Sequence, residues 1–267
     1  MSQENQGAEP PISSPQTPAA QKWVPVMADD VTRQRRRRIA IGAGIGAAIL
    51  LVVGLIYRHS VTTIEGQQAQ DDGARLYQRA SYQQSILNLN RAIEVNPSAV
   101  EAFRMRAQAN VAVRDYDAAI RDFTKVAELA PRDASAFVER GLIYVEKKDF
   151  PNAIADANRA LAIDPKQARA YNLRGTAIRS MGDPEKALPD FNRAVDSDPS
   201  LANFFQRAAT LQILNRHRDA IDDLDRAIEI SPDQPHAYFA RARSRIAVGD
   251  EQGAREDYRV GRKIDGW

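Results

Sequence analysis

The sequence predicts an all-α protein, a solenoid of antiparallel helix pairs preceded by one transmembrane helix. Three observations predict it. Pro97, Pro131, Pro165, Pro199 and Pro232 fall 34, 34, 34 and 33 residues apart, a period that marks stacked structural units. Within each period the apolar residues recur at helical spacing on both sides of one central break. Ahead of them, Ile39 to Tyr57 is a 19-residue run without a charge, about 28 Å long as a helix and long enough to cross a hydrocarbon core.

Taken in order, residues 1–38 form a tail expected to be disordered and cytoplasmic. It is rich in Pro, Gln, Ser and Ala and lacks an apolar period up to Thr32. Its apolar island, Trp23 to Met27, suits an ordinary tail cluster or a contact with the bilayer surface. Five arginines between Arg33 and Arg38 precede the span and only Arg58 follows it directly, so the positive-inside rule puts the N-terminus in the cytoplasm. The remainder then lies across the membrane, in a bacterium the periplasm. The sequence after the span, Ile56 to Ser60, offers no small-residue cleavage site, which favours an uncleaved signal anchor over a signal peptide. Gly42 and Gly46 form a GxxxG pair through which two spans could meet as a homodimer.

Residues 58–65 read as a tether and residues 66–267 as six units: 66–99, 100–133, 134–167, 168–200, 201–234 and 235–267. The third is the most regular. Asp133 suits an N-cap, Phe137, Gly141 and Tyr144 share a helix face, and a break falls at Lys148 to Pro151. Ala153, Ala157 and Ala160 then repeat the helical period until Pro165 ends it. Phe103, Phe137, Tyr171, Phe204 and Tyr238 hold one aromatic column, and Gly73, Ala107, Gly141, Gly175, Ala208 and Ala242 one small-residue column. Pro189 inside the second helix of the fourth unit should bend it, and one residue is missing between Pro199 and Phe204, so that step should be tighter.

This order of aromatic, Gly or Ala, aromatic, alanines and Pro resembles the tetratricopeptide repeat, over about three quarters of the chain. The resemblance implies a right-handed superhelix whose first helices line a concave, protein-binding face. Aligning the units on that face gives Arg104, Gln108, Val138, Leu142, Asn172, Thr176, Arg179, Phe205, Ala209, Phe239 and Arg243 as groove candidates. Aromatic and aliphatic anchors with nearby donors suit an extended peptide or a helix edge; Phe205 and Phe239 equally suit packing between units. The family's clamp for a chaperone C-terminal carboxylate is absent, because Gln70, Ala74, Met105, Ser135 and Glu139 stand at its positions. That absence, with the charge bias around the span, argues against a mitochondrial-type import receptor with cytosolic repeats.

A second pattern is the pairing of two columns from the second unit onward. Arg106, Arg140, Arg174, Arg207 and Arg241 precede the small residue, and Asp122, Asp156, Asp190, Asp223 and Asp257 hold one place in the second helix. The first unit has Asp72 and Asn88 instead. The columns predict a ladder of Arg–carboxylate pairs that fixes helix pairing.

Composition bounds the function. With no cysteine there is no disulfide, thiolate metal site or Cys nucleophile. The three histidines lie far apart and no metal, phosphate-loop or catalytic motif appears, so neither cofactor nor enzyme activity is expected. The repeats carry 30 basic and 30 acidic residues, which lacks the electrostatic footprint of a nucleic-acid binder. The sequence-based expectation is a membrane-anchored scaffold that binds other proteins, with a self-associating scaffold, or an outer-mitochondrial-membrane-type receptor with cytosolic repeats, as the alternatives.

Overall fold

A computed structural model describes the backbone of residues 26–266 and the side chains of residues 30–266. The expected disorder of residues 1–25, the Trp23 end of the apolar island and the placement of Trp267 lie outside the described residues. Among those described, the chain forms twelve α-helices and no strand. It divides by packing after His59.

In the first part, α1 (Val26–Gln78) begins just after Pro25 and contains no proline. Residues 26–38, expected as the end of a disordered tail, are therefore helical, and so are residues 58–65, read as a tether: no Pro or turn signal interrupts them. Ile39 to Tyr57 keeps its large apolar side chains exposed. α1 is the one helix among the described residues long and apolar enough to cross a membrane. A Cβ built on Gly42 or Gly46 meets nothing within 4 Å.

In the second part, the end of α1 pairs with α2 (Tyr82–Val95). The following pairs are α3 (Val100–Ala112) with α4 (Tyr116–Leu129), α5 (Ala134–Glu146) with α6 (Phe150–Ile163), and α7 (Ala168–Ser180) with α8 (Pro184–Ser197). α9 (Leu201–Ile213) with α10 (His217–Ile230) and α11 (Pro235–Ala247) with α12 (Glu251–Asp265) complete the stack. α8 continues through Pro189.

Each pair closes through three residues whose middle member is left-handed: Ala80, Arg114, Lys148, Gly182, Asn215 and Gly249, with φ between 55° and 93°. The next amide reaches back five residues, as from Asp149 N to Tyr144 O at 2.8 Å, and satisfies a carbonyl at the helix end. In four turns that same residue is an Asp that caps the next helix: Asp115, Asp149, Asp183 and Asp250 accept from amides three positions on. Ser81 and Arg216 hold the place without a side-chain cap. Because a left-handed side-chain-bearing residue is strained, Lys148→Gly should stabilise the fold by about 0.5–1 kcal/mol, and Lys148→Val should destabilise it. Urea melts followed by helical ellipticity check this; equal midpoints for the three proteins would refute it.

Between pairs, four residues form a turn closed by an amide bonding the carbonyl three back, as from Asp133 to Ala130 at 3.0 Å. The exception separates α8 from α9. Only residues 198–200 connect them, and Ser200 N bonds Asp198 O at 2.8 Å instead. Asn203, 3% exposed, braces the shortened link by donating to Asp198 O at 2.5 Å and Ala194 O at 3.3 Å.

Small residues let the helices close on one another. Ala107, Ala153, Ala157, Ala187, Ala220 and Ala242 are fully buried. A methyl group on Gly141 would overlap the end of the Leu173 side chain, which would have to shift to admit Ala there. Along one side of the stack run five Arg–Asp rungs, each within its own pair. Nε and Nη2 of Arg106, Arg140, Arg174, Arg207 and Arg241 donate to both oxygens of Asp122, Asp156, Asp190, Asp223 and Asp257 at 2.5–3.1 Å. Nη1 of each crosses to the second helix of the preceding pair, onto Asn90, Thr124, Asn158, Asn192 and Asp225 at 2.6–3.3 Å. The guanidinium also lies 5.4–5.9 Å from the centroid of the aromatic three residues earlier. The Asp156 bond holds the Arg140 guanidinium above its ordinary value, against the effect of burial. The first pair has no rung: Asp72 meets Arg75 and Asn88 turns to Gln84 O.

Candidate functional site

The first helices of the pairs border a cleft of about 640 Å³ that runs from α1 to α9. Its wall repeats every 34 residues: Gln108, Leu142 and Thr176 hold one column, Tyr77, Val111 and Val145 another. Tyr116 and Phe123 of α4 enlarge the aromatic end, while Asn172 and Gln206 make the opposite end amide-rich. The floor is apolar, with Val138 and Leu173 each 1% exposed, and Leu142 stands out from it at 43%. The cleft is mostly apolar, with polar groups such as Gln108, Glu139, Arg169 and Asn172 among its lining residues. Among the described residues no three metal-ligating side chains converge.

Of the groove candidates, Gln108, Val138, Leu142, Asn172 and Thr176 meet in this cleft. The others do not line it. Arg104 bridges Asp133 and Glu139. Arg179 donates to Gln206 O at 3.1 Å, Gln206 Oε1 at 2.8 Å and Thr210 Oγ1 at 3.0 Å, and lies over the Phe191 ring. Burial pulls its guanidinium below its ordinary value. Phe205 packs on the cluster of Ala208, Leu211, Ala220, Leu224 and Ala240. Phe239 lies 6.1 Å from the Tyr258 ring and fills the space that Gly261 leaves. Both phenylalanines pack against neighbouring helices, Phe205 on alanines and leucines and Phe239 in the space beside Gly261. Ala209 is half-buried outside the cleft, and Arg243 is exposed beyond it.

Sequence reasoning passed over Tyr77, Tyr116, Phe123, Glu139 and Gln206. The signal for Tyr77 was available, since Val111 and Val145 occupy its place in the next two units. Glu139 depends on tertiary contact: burial pushes its carboxyl up from its ordinary value while Arg104 and Arg169 pull it down. Asn172 donates its amide to Asn203 Oδ1. Its own Oδ1 is buried and has no hydrogen-bond partner.

Residues 104–168 and residues 141–213 each match a family model described as tetratricopeptide repeat. Residues 104–213 are tetratricopeptide repeats. Solved structures share this repeat fold. PilF of Pseudomonas aeruginosa aligns with a TM-score of 0.64 at 16% identity, covering 76% of this chain and 93% of that one. A tetratricopeptide repeat protein of Parabacteroides merdae gives 0.61 at 16%, covering 74% and 78%. YrrB, described as a TPR protein with an unusual peptide-binding site, gives 0.51 at 21%, covering 66% and 91%. No curated protein matches the chain. At these identities the structural likeness establishes the repeat fold.

Proposed function

We propose that the protein is a single-pass, membrane-anchored scaffold whose repeat cleft binds a segment of another protein. The cleft's exposed apolar wall, with Leu142 at its centre, carries this reading. Tetratricopeptide repeats generally mediate protein–protein interaction, and the nearest polar features are bonded to one another and do not converge as in a catalytic centre. Ile39 to Tyr57 is the anchor, and the arginine asymmetry about it puts residues 1–38 in the cytoplasm and the repeats outside it, facing the periplasm in a bacterium. Anchoring raises the effective concentration of the cleft for partners held at the same membrane. An envelope assembly or a newly exported chain fits that placement.

The experiment has two arms. A phosphatase that is active only outside the cytoplasm, fused after residue 267, gives high activity if the repeats are exported; activity only from a cytoplasmic reporter overturns the topology. Proximity labelling from the repeats then compares wild type with Leu142→Glu. Loss of part of the labelled set supports the cleft, and an unchanged set rejects it.

A further inference from the structure

The ladder arginines are each bonded to a carboxylate, whereas the arginines ahead of the apolar run are not. Arg33, Arg35, Arg36, Arg37 and Arg38 are all exposed on α1, and none makes an ion pair among the described residues. No carboxylate stands three or four positions from Arg35, Arg36, Arg37 or Arg38, and the next acidic residue after them is Glu65.

The helix also sets these cations against one another. Arg33 with Arg36 and Arg37, and Arg35 with Arg38, stand at the three- and four-residue spacings where like charges destabilise a helix. At about 100° per residue the five fall on every side of the axis, within about 7.5 Å of its length. A partner with one flat surface can meet only one side of such a ring. A surrounding phase can meet all of it.

The place of the ring in the chain says which phase that is. Arg38 directly precedes Ile39, the first residue of the apolar run. With that run in the hydrocarbon core, the guanidinium groups stand at the depth of the lipid phosphates. Each is a planar fork that takes two phosphate oxygens at once. A zwitterionic headgroup brings its own cation to the ring, so lipids of net negative charge neutralise it better. Orienting the span requires charge alone, which lysine supplies equally; holding a phosphate by two bonds requires the fork.

We infer that the arginine ring binds anionic phospholipid headgroups and holds them as a shell around α1, in the leaflet that faces residues 1–38. This rests on the reading of Ile39 to Tyr57 as the anchor.

The test reconstitutes the full chain into vesicles of phosphatidylcholine with a minority of phosphatidylglycerol, dissolves them in mild detergent, and counts the copurifying lipids by mass spectrometry. Phosphatidylglycerol should be enriched at least about tenfold over its share of the vesicle. Arg33→Gln, Arg35→Gln, Arg36→Gln, Arg37→Gln and Arg38→Gln combined should abolish the enrichment. The matching set of Arg→Lys changes keeps the charge and should lower the enrichment at least about threefold. All three proteins should keep the same helical ellipticity, since the repeats are untouched. An inserted wild-type chain that retains the two lipids in their bulk ratio, or a lysine variant that retains as much phosphatidylglycerol as wild type, overturns the headgroup shell and leaves the anchor standing. Release of the wild-type chain from the vesicles by alkaline carbonate overturns the anchor and the shell together.

Discussion

Asp156→Ala should lower the unfolding free energy by about 3–5 kcal/mol, because it leaves the Arg140 guanidinium without its carboxylate in the middle of the stack. Asp156 is 2% exposed and Arg140 7%, the most buried rung of the five. Both Asp156 oxygens are used, at 2.7 and 2.8 Å. The pair itself is worth much less than this, since its attraction is offset by the desolvation of both ions. Replacing both partners, as in Arg140→Met with Asp156→Leu, should therefore recover most of the loss. Urea denaturation of the full chain in detergent, followed by ellipticity and by hydrogen exchange in α5 and α6, measures both. A loss below about 1 kcal/mol for Asp156→Ala would mean that the rung is ornamental. Since each repeat contacts only its neighbours, exchange should rise in α5 and α6 before the ends of the stack respond.

Phe191→Ala should cost a similar amount, about 3–5 kcal/mol, by a different mechanism. Its ring is fully buried. One face meets Gly175, where an added methyl would lie 3.0–3.2 Å from three ring atoms, and the Arg179 guanidinium sits 5.0 Å from the ring centroid. Truncation opens a cavity and takes the ring from beneath Arg179. Gly175→Ala in the wild-type background should also destabilise, by about 1–3 kcal/mol of overpacking. In the Phe191→Ala background the same methyl enters the vacated space, so its penalty should shrink or reverse. Equal penalties in the two backgrounds, read from the same melts, would show that the contact does not govern stability.

The repeat architecture was legible because it is written five or six times over. Aromatic, Gly or Ala, and Pro at constant spacing are local signals that agree with one another, so a substitution such as Ala69 for an aromatic or Gly261 for an alanine could not hide the period. The partners of the ladder were less so. The Arg and Asp columns were visible, but the bond within each pair and the third contact back to Asn90 or Thr124 follow from helix rotation, which a linear period does not encode. The cleft was half legible. Leu142 and Asn172 follow from alignment of the units, whereas Phe205 and Phe239 share that alignment and still turn into packing. Their fate depends on what the neighbouring helices present to them, Gly261 of α12 for Phe239 and the cluster of Ala208, Leu211, Ala220, Leu224 and Ala240 for Phe205. Residues 58–65, read as a tether from their polarity, are a continuation of α1, which the absence of Pro allows.

The five rungs have a mechanical consequence. Each Arg grips its own pair with two bonds and the preceding pair with a third, so the ladder side forms a continuous series of short charge-assisted links running from α2 to α12. On the cleft side the links are heterogeneous: an Arg between two carboxylates, one amide pair, an Arg on a glutamine, and Gln212 on Ala240 and Ser244. One side of the stack is thus tied by a single repeated link and the other by links that differ at every step. A substitution at a rung alters one of five equivalent ties, whereas a substitution at a cleft-side link removes a contact that has no copy elsewhere in the stack.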